Sequence, residues 1–260
     1  MLPAVHGADE RVVFVSDVHL RYGDVAYLRQ FTDFLDGVGA DGAAAVYIHG
    51  DLFDFYVGPR QGARPFYGPL FTGLRALVDA GIPVGIIHGN RDFLMGKRFA
   101  DAGCDLLALE VALDLGGLRV HLSHGDQFCI HDRSYLFWAR GVLRAAPLRF
   151  LVRNLPISVA TWLARRYRKV SAKKLAKRGA ATTSRLATIL DGVRQLLERD
   201  PYDALVCGHI HDLAETDITA GPTKSVLYTT GAWEQCPNYI EWADGSLRVR
   251  KLRPQAAVSG

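Results

Sequence analysis

A polar turn, Gly89-Asn90-Arg91-Asp92, directly follows the apolar run Ile82 to His88. A short apolar run of this kind favours a buried strand. An amide, a guanidinium and a carboxylate that stand together where a buried strand surfaces need a ligand, a metal ion or a phosphate opposite them. We therefore expect this turn to take part in the chemistry of the protein.

Four more polar motifs follow short apolar runs in the same way. They are Asp17-Val18-His19, Gly50-Asp51, His124-Gly125-Asp126 and Gly208-His209-Ile210-His211. Strands that are buried on both faces read as continuous apolar runs, so we predict strands over 11–16, 44–49, 82–88 and 204–207, and a hairpin over 112–122. Five strand ends could then converge on one place.

The length and composition predict one large α/β domain over residues 1–260 with an insertion, rather than two equal domains. The chain has 260 residues, of which 49% are hydrophobic and 22% charged, enough to bury a full core. Helical spacing predicts helices over 25–35 and 70–80. Strands mixed with helices, followed by strands alone, predict a two-sheet α/β sandwich with its site at one edge. We expect residues 224–252 to form a small antiparallel meander.

The cysteines and the N-terminal residues indicate a reducing compartment. The four cysteines are far apart and form no Cys-x-x-Cys pair, which argues against a zinc knuckle or a disulfide framework. Residues 1–10 lack a basic start followed by a long apolar segment, so they do not resemble a secretion signal. We expect a cytoplasmic protein.

Charge is segregated along the chain. Residues 133–199 contain 16 Lys and Arg and only two acidic residues, whereas the rest contains 15 basic and 25 acidic residues. This asymmetry predicts a basic helical cap, inserted at 131–200 into an acidic body.

The polar motifs together supply oxygen and nitrogen ligands without thiolates, a set that suits manganese, iron, zinc or cobalt. The seven candidates exceed the needs of one ion, and two ions a few ångströms apart that share a carboxylate would use them all. Such a pair activates water and clamps both oxygens of an in-line phosphoryl displacement. The candidate ligands are Asp17, His19, Asp51, Asn90, His124, His209 and His211.

The order of these motifs resembles that of the calcineurin-like metallophosphoesterases from Val12 to about Trp242. That resemblance implies a four-layer αββα sandwich. A narrower resemblance, to the bacterial UDP-2,3-diacylglucosamine pyrophosphatases of lipid A synthesis, rests on an insertion after the His124 motif and on four matching segments. These are Gly50 to Asp54, His88 to Ala100, His124 to Cys129 with Asp132 beyond, and Gly231-Ala232-Trp233.

The resemblance implies a reaction and roles for residues. The family hydrolyses UDP-2,3-diacylglucosamine at the phosphorus on the uridine side, giving UMP and 2,3-diacylglucosamine 1-phosphate (lipid X). It usually uses two Mn²⁺ ions with a bridging hydroxide as the attacking group. The first ion takes Asp17, His19, Asp51 and His211, and the second takes Asp51, Asn90, His124 and His209. Catalysis falls to Asn90, Arg91 and His209, and substrate binding to these three with Asp132, Ser171 and Arg178.

This chain departs from the family pattern at the last motif and in the cap. The family usually has Gly-His-Thr-His followed by a basic residue and Pro, whereas this chain has Ile210 and then Asp212-Leu213. In the cap, only Ser171 matches well, since Leu175 stands near an Asn position and Arg178 near a Lys position.

Two other function classes are considered. Another dinuclear-metal phosphodiesterase could use the basic cap on a nucleotide or nucleic acid. A nuclease would need aromatic side chains interleaved along a polar groove, whereas this cap offers apolar residues such as Leu151, Leu155 and Val159 at helical spacing. A non-catalytic scaffold usually loses its ligands, and here every motif is complete. We expect a lipid-nucleotide substrate and no nucleic-acid partner, and we infer no protein partner.

The cap also carries an apolar stripe through Leu151, Leu155, Val159 and Trp162, bordered by arginines. Its longest uncharged stretch, 154–164, is too short to span a bilayer core of about 30 Å. The stripe is typical of a helix lying in an anionic membrane interface, and the alternative is that it packs only against the body. We expect peripheral association with the inner face of the cytoplasmic membrane.

Some residues outside the motifs have open or ordinary interpretations. We interpret His6 as a solvated tail residue, and His49, His88 and His121 as core residues or neighbours of ligands. His131 stays open. The aromatic, Gly-rich segment 53–67 is either an ordinary surface loop or the rim of a substrate cleft.

Overall fold

The computed structural model describes residues 4–132, 154–163, 166 and 185–252. In these ranges the chain forms two six-stranded sheets with helices outside them. The strands are β1 Val5–His6, β2 Val12–Val15, β3 Ala45–His49, β4 Val84–Ile87, β5 Asp105–Leu106, β6 Glu110–Leu115, β7 Leu118–Ser123, β8 Ala204–Cys207, β9 Ala214–Ala220, β10 Thr223–Thr229, β11 Asn238–Ala243 and β12 Ser246–Lys251. The helices are α1 Val25–Ala40, α2 Pro59–Gly62, α3 Gly68–Asp79, α4 Lys97–Asp101 and α5 Ala187–Arg199, and short 3₁₀ turns cover Pro65–Tyr67 and Asp126–Phe128.

The first sheet has the order β12-β11-β2-β3-β4-β5. Strands β2 to β5 are parallel, and β11 joins β2 antiparallel. Alternate residues of β2 point to opposite faces. Val13 and Val15 pack in the cluster with α1 and α3, whereas Val12 and Phe14 pack in the cluster that also holds residues of the other sheet. Both faces of this strand are therefore apolar.

The second sheet has the order β1-β6-β7-β8-β10-β9. Its outer face is covered by α5, whose Ile189 and Val193 are fully buried with Leu205 of β8. Helices therefore cover the outer faces of two sheets that pack together. This arrangement confirms the predicted α/β fold with four layers, αββα.

Local sequence signals set the bounds of α1. The helix begins after Asp24, whose carboxylate accepts a hydrogen bond from the backbone N–H of Tyr27 at 3.1 Å, which satisfies one of the free N–H groups at the helix start. Leu28, Phe31 and Leu35 recur at helical spacing and are buried against the sheet. The predicted helices over 25–35 and 70–80 are thus confirmed, with bounds moved by a few residues.

The predicted C-terminal meander is wrong. Strand β10 pairs with β8 and β9 in the second sheet, while β11 and β12 form a hairpin in the first sheet. The segment between β10 and β11 crosses from one sheet to the other. There the backbone N–H of Trp233 donates to the carbonyl of Asp17 at 3.1 Å. This contact draws the crossing segment to the end of β2 and separates the two hairpins.

Two further expectations need correction. His6 is buried in β1, not solvated, and its Nε2 lies 2.9 Å from the Tyr47 hydroxyl, because β1 pairs with β6. Segment 53–67 is not an ordinary surface loop, since Phe53, Tyr56 and Tyr67 are buried in the apolar core.

Of the predicted cap at 131–200, only 131–132, 154–163, 166 and 185–200 lie in the described ranges. Ser171, Leu175 and Arg178 fall outside them. All four cysteines are free thiols, as expected for a chain without a disulfide framework.

Candidate metal centre

The predicted ligands follow the ends of five strands, β2, β3, β4, β7 and β8. Parallel strands end at the same edge of a sheet, and ligand sites form outside such edges. Six described non-glycine residues have a positive φ, and five of them are predicted ligands: Asp17, His19, Asp51, His209 and His211, with φ between 52° and 71°. Such backbone costs about 1–3 kcal/mol for each residue and concentrates at functional sites.

The first cluster consists of Asp17, His19 and His211. The Nε2 atoms of His211 and His19 lie 3.3 and 3.9 Å from Asp17 Oδ1, and one ligand atom from each of the three residues lies within 4.8 Å of the others. Asp17 Oδ1 and His19 Nε2 are buried and have no hydrogen-bond partner among the residues that the structure describes. Buried polar atoms are normally satisfied, so a divalent cation fits this position.

The other carboxylate oxygen of Asp17 is held by the protein. Asp17 Oδ2 accepts hydrogen bonds from the Ser16 hydroxyl at 2.9 Å, the backbone N–H of His209 at 2.9 Å and the Thr230 hydroxyl at 3.3 Å. Burial opposes ionisation of Asp17, but His211, His124 and His19 outweigh it and lower its pKa well below the usual value. The carboxylate is thus fixed with one oxygen free to ligate. Sequence reasoning missed Ser16 and Thr230.

The second cluster contains His124, Asn90 and His209. His124 Nε2 lies 3.2 Å from Asn90 Oδ1, and its ring centroid is 5.2 Å from that of His209. His124 Nδ1 faces the carbonyl of His49 at 3.2 Å. Because a carbonyl can only accept, the ring donates through Nδ1, and Nε2 is the ring nitrogen that faces the cluster.

Asp51 lies between the two clusters. Its Oδ2 is 3.5 Å from His19 Nε2, and its Oδ1 is 3.6 Å from His124 Nε2. Each oxygen therefore faces a different group of ligands. The carboxylate is almost fully buried, and this geometry suits a ligand shared by two ions.

Glycines let the backbone come this close. A Cβ at Gly89 would lie 2.2 Å from Asp51 Oδ1, and one at Gly208 would lie 2.2 Å from Asp17 Oδ2. Any side chain at either position would collide with a ligand carboxylate. The glycines before Asn90 and His209 are therefore required by packing against the opposite strand end.

Arg91 lies over the shared carboxylate. Its Nε is 3.2 Å from Asp51 Oδ2, its Nη1 is 3.5 Å from Asp54 Oδ1, and its backbone N–H donates to Asp51 Oδ1 at 3.0 Å. About 30% of the side chain is exposed. The guanidinium is thus placed beside both clusters with part of its surface open.

Asp92 has a structural role, which corrects the expectation that all three polar side chains of the turn await a ligand. It is fully buried and accepts hydrogen bonds from the backbone N–H groups of Leu52 and Gly89 at 2.8 Å and of Phe53 at 3.4 Å. Burial and the charge of Asp51 raise its pKa to about 7, against the opposing effect of these donors. Asp92 ties the turn to the segment after Asp51.

Replacing Asp92 by Ala should destabilise the fold. The change leaves three buried N–H groups without their acceptor, and each such group costs about 1–3 kcal/mol. We expect the free energy of unfolding, measured by urea titration of metal-free protein, to fall by about 3 kcal/mol or more. Asp101→Ala is the control, because its pair with Lys97 is exposed and contributes about 0–1 kcal/mol. Equal losses in the two variants would contradict this role.

The other residues considered in the sequence have different surroundings, or lie outside the residues that the structure describes. Asp132 is half-buried, and its backbone N–H donates to the carbonyl of Cys129 at 3.1 Å. His88 Nε2 contacts the carbonyl of Met95 at 3.1 Å, and His131 is exposed and pairs with Asp191 at 2.9 Å. Ile210 points away from the ligands into the apolar cluster with α5.

Comparison with known proteins identifies the family of this chain. Residues 10–213 match the family model of the calcineurin-like phosphoesterases. The chain belongs to the calcineurin-like phosphoesterase family. Within it, the chain is 34% identical over 226 residues to a UDP-2,3-diacylglucosamine hydrolase of Enterobacter sp. (strain 638), and 35% identical to one of Klebsiella pneumoniae. Each match covers 85% of this chain and 90% of the relative. A solved dimetal phosphatase from Danio rerio superposes with a TM-score of 0.49 at 12% identity, covering 93% of this chain and 95% of that one.

Membership of the calcineurin-like phosphoesterase family confirms the predicted metal-dependent hydrolase. The named relatives also confirm the narrower resemblance. For a calcineurin-like phosphoesterase, the groups Asp17-His19-His211 and Asp17-Asp51-His124 are the candidate positions of divalent metal ions.

Proposed function

We propose that this protein hydrolyses the pyrophosphate bond of UDP-2,3-diacylglucosamine to UMP and 2,3-diacylglucosamine 1-phosphate, with Mn²⁺ as its metal. The observation that carries the proposal is the pair of ligand clusters that share the buried carboxylate of Asp51. The substrate follows from the relatives, which are named as UDP-2,3-diacylglucosamine hydrolases over nearly their whole length.

The ligand roles follow the two clusters. Asp17, His19 and His211 would hold one ion, Asn90, His124 and His209 would hold the other, and Asp51 would be shared by both. When bound, two divalent ions lower the pKa of a water molecule and stabilise charge on the phosphoryl oxygens.

Arg91 would stabilise the transition state. The planar guanidinium of Arg91 is held in place by two carboxylates, and such a fixed cation neutralises charge that grows on phosphoryl oxygens in the transition state. Asn90 and His209 orient the same phosphoryl group. Asp132, Ser171 and Arg178 stay candidates for contacts with the rest of the substrate.

The decisive experiment measures UMP release by the purified protein with Mn²⁺. UDP-2,3-diacylglucosamine is compared with UDP-N-acetylglucosamine, which keeps the pyrophosphate and lacks the two long acyl chains, and with single-stranded RNA. We expect efficient release only from the diacyl substrate. Faster cleavage of RNA or of the non-acylated nucleotide would instead identify another phosphodiesterase of this superfamily.

The described part of the cap supports a site for the lipid at a membrane surface. Val159, Trp162 and Leu163 are 42%, 58% and 43% exposed, and they lie three and four residues apart along a helical segment. The guanidinium of Arg166 lies 5.7 Å from the centre of the Trp162 ring. Among the residues that the structure describes, no helix combines the length and apolarity needed to cross a bilayer. An exposed apolar face beside basic residues suits an anionic membrane interface.

Trp162→Glu should weaken binding to anionic vesicles and raise KM for the diacyl substrate. The carboxylate would be repelled by the lipid surface and would remove the largest exposed apolar side chain of this helix. Co-sedimentation with phosphatidylglycerol vesicles and steady-state kinetics measure the two effects. Hydrolysis of bis(p-nitrophenyl) phosphate, which needs only the metals, should change little, and Trp162→Phe should preserve both properties. Equal losses on the two substrates would mean that the segment is only structural.

A further inference from the structure

Helix α5 lies beneath two loops that carry predicted metal ligands. One loop follows β7 and contains His124 and the 3₁₀ turn Asp126–Phe128, and the other follows β8 and contains His209 and His211. The loops are joined directly, because the backbone N–H of Gly208 donates to the carbonyl of His124 at 2.9 Å. A shift of one loop is therefore transmitted to the other.

The contact of α5 with the first loop depends on a glycine. A Cβ at Gly192 would lie 2.4 Å from the carbonyl oxygen and 2.7 Å from the Cα of Phe128. Both are backbone atoms, so no rotation of a side chain could relieve the collision. Only glycine lets the helix approach the turn behind His124 this closely.

The contact with the second loop is made by Ile210. This side chain is 6% exposed and packs in the apolar cluster that contains Ile189 and Val193 of α5. Ile210 stands between His209 and His211, whose φ angles are 71° and 57°. Residues in such backbone persist only where their surroundings hold them there. The buried side chain between them supplies that anchor on the side away from the metals.

We propose that α5 is a positioning element of the metal centre, acting through Gly192 and Ile210. Together these residues fix the position of both loops relative to the first sheet. This position places His124, His209 and His211 close to Asp51 and Asp17. Neither residue is among the predicted metal ligands or substrate contacts. The inference rests on the proposed function only in requiring that metal ions bind at the two clusters.

The expected effect is large because metal sites tolerate little displacement. An alanine at position 192 must move by about 1 Å to reach an ordinary contact with Phe128, and a misplacement of about 1 Å costs roughly a hundredfold in rate where geometry is critical. Ligand distances in a metal site hold within about 0.2 Å. We therefore expect Gly192→Ala to weaken Mn²⁺ binding and to lower kcat for a small phosphodiester by about 10- to 100-fold.

The experiment compares Gly192→Ala with Gly37→Ala. Both place a methyl group on a helix, but a Cβ at Gly37 in α1 meets nothing within 4 Å. Bound Mn²⁺ per chain is measured by equilibrium dialysis, and the Mn²⁺ needed for half-maximal hydrolysis of bis(p-nitrophenyl) phosphate by titration. We expect Gly192→Ala to need at least about tenfold more Mn²⁺ with an unchanged circular dichroism spectrum, and Gly37→Ala to match the wild type.

Ile210→Ala is a second, milder variant. It tests whether α5 positions the metal centre even if Gly192→Ala does not fold. It should shift Mn²⁺ binding in the same direction while Ile210→Val stays near the wild type. Wild-type Mn²⁺ affinity in a folded variant, or a loss only in proportion to the unfolded fraction, would overturn the proposal. These readouts do not use the lipid substrate, so a wild type inactive on UDP-2,3-diacylglucosamine would refute the proposed function without affecting this test.

Discussion

Asp51→Ala should abolish hydrolysis and reduce bound metal from two ions towards one or none. The two oxygens of Asp51 face His19 and His124 at 3.5 and 3.6 Å, so the change removes a ligand from both clusters at once. It also removes the negative charge that would offset the repulsion between two cations bound a few ångströms apart. Metal content by mass spectrometry and turnover of UDP-2,3-diacylglucosamine measure the two effects.

Two variants serve as controls for this result. Asp36→Ala makes the same chemical change on the exposed side of α1 and should leave metal content and turnover unaltered. Asp51→Asn keeps one oxygen ligand and should retain more metal than Asp51→Ala while turnover stays very low. If Asp51→Ala kept two ions and normal turnover, Asp51 would not be a shared ligand.

Arg91→Ala should lower kcat by about a hundredfold or more, with the metal content intact. The guanidinium lies 3.2 Å from Asp51 Oδ2 and 3.5 Å from Asp54 Oδ1, so both carboxylates hold it beside the clusters. A cation that is fixed in advance stabilises the transition state without reorganisation. Arg91 is not itself a predicted metal ligand, and for this reason the ions should stay bound.

Separate measurement of kcat and KM distinguishes a catalytic role of Arg91 from a role in substrate binding alone. Arg91→Lys keeps the charge but loses the planar fork, and should recover only part of the activity. Arg75→Ala, which removes an exposed arginine paired with Asp79, serves as the matched control and should have wild-type kinetics. An effect confined to KM would show that Arg91 only binds the substrate.

The proximity of the candidate ligands could be predicted from sequence because each one follows a strand that is recognisable from its own residues. Apolar runs such as those before Asp17 and Asp51 are recognisable without knowledge of their neighbours, and parallel strands bring their ends together. The convergence of five such ends was therefore accessible from the order of motifs alone. Helices α1 and α3 were predictable for the same reason, since helical spacing is also a local property.

Features that depend on distant pairing were not predictable in this way. Strand β10 joins β8 in the second sheet and β11 joins β2 in the first sheet, and both pairings connect segments that are not adjacent in the chain. His6 read as a tail residue because nothing nearby in sequence reveals that β1 pairs with β6. In the turn after β4, sequence alone could not distinguish the carboxylate of Asp92, which is satisfied by backbone N–H groups, from side chains that face the ligand site.

The strained backbone of the ligands also escaped sequence reasoning. The glycines before Asp51 and His209 mark tight turns, but they do not reveal that the ligands themselves adopt positive φ. That conformation is imposed by contacts such as the hydrogen bond from the His209 N–H to Asp17, which join strand ends far apart in the chain.

The support of Asp17 by Thr230 and Trp233 determines when the site can form during synthesis. These partners follow Asp17 by more than two hundred residues, and a ribosome adds about 5–20 residues each second. The first ligand therefore waits roughly 10–40 s for its supports. During this interval β2 also lacks β11, its antiparallel neighbour, and presents an open edge to other chains. Assembly of the metal centre is consequently a late event in synthesis, and this edge of β2 stays open until β11 has been made.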